Sequence, residues 1–186
     1  MNHSPVPASP LSPVPPHRRR RKGSTTVTKL FLTLHVLAAI LAVGPVTVAA
    51  GMFPRALRRA QAEPQDPAAR SVLRTLHRIC RVYAALGVAV PVLGFATAGS
   101  LGVLGSGWLI ASIVLTTGAA ALLVVLVLPG QDAALDEVEA VADRPGASIP
   151  DQGAARRLTM PTGLFNLLWA TVTVLMIIRP GSTTGA

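Results

Sequence analysis

Charge is scarce in this chain. Only 13% of its 186 residues are Asp, Glu, Lys or Arg, against about 25% in soluble domains. A water-facing globule of this composition could not cover its own surface. There is one cysteine, Cys80, which excludes an intramolecular disulfide and a thiolate metal cluster. Aromatic residues make up 4%, too few for a stacking platform, so nucleic acid is not an expected partner. No Walker loop, dinucleotide fingerprint, zincin motif or nucleophile elbow occurs. No acid lies within the apolar runs, which argues against a conventional proton-driven carrier.

What is present is apolar sequence in four long runs. They cover about residues 30–52, 82–100, 107–129 and 159–178, and none holds Asp, Glu, Lys or Arg. About twenty helical residues cross a bilayer's hydrocarbon. Uninterrupted rather than alternating runs favour helices over a barrel. The sequence therefore predicts an all-α fold, a four-helix antiparallel transmembrane bundle over residues 30–178. A Pro-rich, basic, disordered tail over 1–29 precedes it and a short tail over 179–186 follows. The first run ends in "VAA" before Gly51, as a signal peptide would, but its length exceeds the usual 7–15 apolar residues of such a segment. Arginine outnumbers lysine fifteen to two, a composition typical of high-GC bacteria. The expected location is the cytoplasmic membrane, as a multi-pass protein.

Spans two and three are joined by the short "GSLGVLGSG" link and should be antiparallel neighbours. The two longer connections emerge on one face with opposite charge. Residues 53–81 hold seven arginines against Glu63 and Asp66, and residues 130–157 hold three arginines against six acids. Arg70, Arg74, Arg78 and Arg81 recur at helical spacing, opposite Asp132, Asp136, Glu137, Glu139 and Asp143. Two readings follow: the loops pair by charge, or both are solvated faces. The arginine-rich segments also suit anionic lipid headgroups. A homo- or hetero-oligomeric partner is a further expectation. The positive-inside count sets ten basic residues on the long loops against seven at the termini. It thus places the termini outside, in conflict with the "RRRRK" tail. Translation starting near Val27 would remove the conflict.

His35 lies about 8 Å into span one at helical rise. Ionisable groups inside spans are candidate functional sites. Desolvation favours the neutral ring, which keeps one nitrogen as acceptor or ligand. Matching depths across the spans gives His35 four neighbours: Thr97, Ser112, Thr173 and Met176. His77 precedes span two on the opposite face, so a bis-histidine clamp is not expected. Two readings of His35 remain. It bonds a backbone carbonyl or hydroxyl, or it binds a cofactor, haem b, alone or with Met176. No metal site and no catalytic residue are expected. His3 and His17 fall in the tail. Gly44-Pro45 and Pro91 are expected kinks. Small residues four apart, such as Ala38 and Ala42 or Gly94 and Ala98, suit close packing. Asn166 and Trp169 should face a partner helix or the interface.

The segment "KLFLTLHVLAAILAVGPVTVAAGMFPRALRRA" resembles the opening helix of a family of bacterial integral membrane proteins, domain-of-unknown-function family 2269. The segments "LHRICRVYAALGVAVPVLGFATAG" and "PTGLFNLLWATVTVLMIIRPG" fit the same four-span layout, over about residues 28–180. More distantly the chain is similar to copper-resistance D-like proteins and to membrane-bound protoporphyrinogen oxidases. In the oxidases an early histidine is linked to haem. That resemblance implies a role for His35, with Gly44 at the glycine position and Arg55 at the basic exit. Val43 stands where those families have tryptophan. Three functional expectations follow: a small membrane protein of unknown role acting through packing and partner contacts, a haem- or metal-binding redox protein, and an accessory subunit of a transporter.

Overall fold

The computed structural model describes residues 22–144, 151 and 153–181. The tail over 1–21 and the C-terminal 182–186 lie outside the described residues, as does most of the segment between 144 and 153. Among the described residues every regular element is helical. The order is α1 (Lys22–Ala62), α2 (Pro67–Leu86), α3 (Ala89–Leu101), α4 (Gly107–Ala121), a six-residue π-helical stretch (Leu122–Val127), α5 (Leu128–Asp143) and α6 (Ala154–Ile178). Four rods long and apolar enough to cross a membrane result: α1, α2–α3, α4–π–α5, and α6. The four expected spans are all present.

Three of the rods outrun their apolar cores. The 41 residues of α1 reach about 60 Å, twice the hydrocarbon thickness. Its start at Lys22 lies inside the segment assigned to the tail. Nothing breaks the chain between Lys22 and the apolar run, and a helix once nucleated gains one bond per added residue. At the other end α1 continues through Pro45 and Pro54 without interruption. The break occurs instead in the second rod. Pro91 lacks the N–H that would reach the Gly87 carbonyl, and the Val90 N–H takes that carbonyl at 3.0 Å. This tighter turn separates α2 from α3.

The turns are short. Asp66 caps α2 by accepting from the Ala68 N–H at 2.8 Å, with Pro67 at the first helical position, where no donor is needed. Gly102 ends α3 in the left-handed region at φ 70. There the Val103 N–H returns to the Ala98 carbonyl, the wrap expected where a glycine closes a helix.

α1 is central and packs along α2, α3 and α6, α4 packs on α6, and α2 packs on α5. The main core gathers at the long-loop end, around Phe53, Leu57, Leu73, Cys80, Val127 and Val138, all sealed. A second, small cluster of Ala98, Trp108 and Leu109 closes the opposite end. Apolar side chains also cover the outside: Leu41 is 65% and Ile177 75% exposed. In water such continuous patches would drive association; in a bilayer they meet lipid.

Candidate functional site

The sequence singled out His35, and the structure sets it against α3. Its Nδ1 lies 2.9 Å from the Val90 carbonyl oxygen. A carbonyl only accepts, so Nδ1 is the donor. The ring rests on Gly94, where an added Cβ would come within 3.0 Å of His35 Cε1. Glycine here is what lets the imidazole lie on the neighbouring helix. His35 is half-buried, not sealed.

The three hydroxyls among the four expected neighbours of His35 bond on their own helices. Thr97 donates to the Leu93 carbonyl, Ser112 to Trp108 and Thr173 to Trp169, each four residues back on its own helix. Hydroxyls in spans commonly bond this way. Met176 packs with the Ala98, Trp108 and Leu109 cluster. Of the two readings of His35, the bond to a backbone carbonyl is present. Arg179 closes α6 in the left-handed region at φ 46. Its guanidinium carbon stands 5.6 Å from the Trp108 ring centroid, and its Nε donates to the Met176 carbonyl.

The better-built polar cluster lies at the opposite end, between α2 and α5, and pattern reading missed it. His77 is 5% and Gln131 1% exposed. His77 Nδ1 is 3.2 Å from Gln131 Oε1. Gln131 Nε2 donates to Cys80 Sγ at 3.7 Å. His77 Nε2 is 2.9 Å from Asp132 Oδ1, yet the carboxylate stands off the N–H direction, so this contact is electrostatic rather than a formed hydrogen bond. A neutral imidazole can donate to one of these two oxygens, an imidazolium to both. One signal existed: His77 and Cys80 are three apart and share a helical face with Arg74. That α5 would lie opposite could not be read from spacing.

The expected pairing of the long loops is partly present. Arg74 Nε bonds Glu139 Oε1 across α2 and α5. Gln65 donates to the Ala142 carbonyl on the same seam. Arg70, Arg78 and Arg81 make no ion pair among the described residues. On α6, Thr162 Oγ1 and Asn166 Oδ1 are a turn apart and buried, without a hydrogen-bond partner among the described residues. Buried polar atoms of this kind are commonly served by water. No group of three or more His, Cys, Asp or Glu among the described residues is arranged to hold a metal ion.

No curated protein and no solved structure matches the chain. A family model does, over residues 29–180, which takes in the apolar part of all four rods and both polar clusters. The chain belongs to DUF2269, the family of predicted integral membrane proteins.

Proposed function

We propose that this integral membrane protein acts through contact and not through catalysis, in the cytoplasmic membrane, with its long-loop end as a docking platform. The observation that carries this reading is the overshoot of three rods at that end. The extensions of α1, α2 and α5 are packed on one another and held by Arg74–Glu139 and His77–Asp132. Loops alone would suffice to connect spans; a packed, rigid surface suits rigid-body docking of a protein partner. The exposed acids Asp136 and Asp143 on α5 supply a charged edge for it. A photo-crosslinker at Asp136 or Asp143 in native membranes should yield a discrete protein adduct. The reading fails if these positions give none while the tail-end position Leu37 does. A larger permease in the adduct would make the chain an accessory subunit of a transporter. A self-adduct would make it a homo-oligomer.

A second reading has its own observation. A ligating histidine usually donates its other ring N–H to a carbonyl or carboxylate, and His35 does so toward Val90, which leaves Nε2 as a donor atom for haem or a metal. Met176, the second expected ligand, packs on the Trp108 cluster. A Soret band in purified protein that vanishes in His35→Ala would choose this reading. Colourless protein that keeps its stability in that variant would sink it.

A further inference from the structure

Three exposed arginines stand where a bilayer's headgroups lie. The α1–α2 hairpin gives a ruler. Measured along the helices from its tip at 1.5 Å per residue, Met52, the end of the first apolar run, lies about 15 Å down, and Val82, the start of the second, about 22 Å down. The hydrocarbon surface thus falls between these levels. The headgroup layer is a further 5–8 Å or so thick, toward the tip. By the same ruler Arg55 lies about 10 Å, Arg78 about 16 Å and Arg81 about 21 Å from the tip. Long basic side chains adjust by several ångströms along the normal. All three fit the phosphate level.

Depth separates them from Arg58 and Arg156, exposed and unpaired among the described residues, which by the same ruler and by sequence lie nearer the loop tips. Pairing separates them from other arginines of this end. Arg59 stands 3.9 Å from Asp66, Arg157 3.2 Å from Asp151, and Arg74 bonds Glu139. Arg55, Arg78 and Arg81 are exposed and make no ion pair among the described residues. The acid of α5 that comes nearest this depth, Asp132, faces His77. At the headgroup level Arg74 is held by Glu139, and Arg55, Arg78 and Arg81 are the arginines there without a carboxylate among the described residues. A guanidinium there has phosphate as its available counter-ion, with bidentate geometry to match.

We infer that Arg55, Arg78 and Arg81 form a binding belt for the headgroups of anionic phospholipids. Each basic residue near such a surface contributes about fivefold in affinity, so the three together contribute on the order of 100-fold. The test uses the full chain in mild detergent, titrated with phosphatidylglycerol or phosphatidylcholine, with retained lipid counted by native mass spectrometry. Phosphatidylglycerol should be retained in preference. The triple variant Arg55→Gln, Arg78→Gln, Arg81→Gln should lose about 100-fold in retention. The control Arg59→Gln, Arg74→Gln, Arg157→Gln removes the same charge from paired positions and should lose under about fivefold. Equal retention of both lipids by the unaltered chain would overturn the inference, as would a control that loses as much as the triple variant. If the triple variant does not fold, Arg78→Gln and Arg81→Gln measured singly should each lose about fivefold, and no loss in either would overturn it. So would an acidic protein that co-purifies and is lost from the triple variant while lipid retention stays unchanged.

Discussion

At the long-loop end Phe53, Leu57, Leu73 and Val138 are fully sealed, and polar groups of α2 and α5 bond across the seam. At the tail end the buried cluster shrinks to Ala98, Trp108 and Leu109, and the polar contact of His35 is with one backbone carbonyl. The difference follows from the solvent. Lipid tails are as apolar as leucine, so within the bilayer there is little drive to bury one apolar side chain on another. Where the rods emerge into water the drive returns, and the extensions of α1, α2 and α5 pack as a soluble bundle would.

Substitutions can break that contrast. The largest effect is expected for Phe53→Ala, which opens a cavity in the sealed core and should cost about 3–5 kcal/mol. Leu109→Ala at the other end, beside lipid that can fill the gap, should cost clearly less. Equal losses in denaturant titrations of both variants in micelles would mean that the two ends are packed alike.

A smaller effect is expected at the α2–α5 seam. His77→Leu leaves Gln131 Oε1 without its partner inside a buried site, a loss of about 1–3 kcal/mol. Cys80, the chain's single thiol, is sealed there and reports on the seam directly. Maleimide labelling of Cys80 should accelerate in His77→Leu, in step with the lost stability. Unchanged labelling would show that α1 and α2, and not the polar bridge, protect the thiol.

The smallest effect should come from the tail end. In Gly94→Ala the new methyl crowds the His35 ring, which offsets the roughly 1 kcal/mol that alanine gains over glycine in a helix. The net change should be a loss of about 1 kcal/mol. In a His35→Ala background the same substitution should become neutral or stabilising. Additive behaviour in that cycle would mean that His35 does not rest on Gly94.

Different features of this molecule were legible to different degrees. The four spans could be read directly, because unbroken apolar runs admit little besides helices in lipid. Helix lengths could not: the extensions are amphipathic or polar, and their helicity depends on what they pack against. His35 was legible as a candidate residue, while its bond to the Val90 carbonyl was not. Depth was measured from the edges of apolar runs, and Val90 lies deeper along the second rod than that ruler allowed. The level of a helix is set by packing and not by where its apolar run begins. The contact is also with a carbonyl, a group every residue carries, so no side-chain pattern could announce it. The cluster of His77, Gln131, Cys80 and Asp132 went unseen because it joins two helices more than fifty residues apart.

By itself, then, the sequence determined that this chain lives in a membrane, crosses it four times, and keeps its charge on one pair of loops and the tail. Those are consequences of transfer free energy, which each segment obeys alone. The tertiary structure decided which helix faces which. It put His35 on Gly94, His77 beside Asp132 and Gln131, and Arg74 against Glu139, and it left Arg55, Arg78 and Arg81 without a carboxylate. Such pairings depend on rotation and offset between packed rods. Those are fixed by the fit of whole surfaces, and no short stretch of sequence contains them.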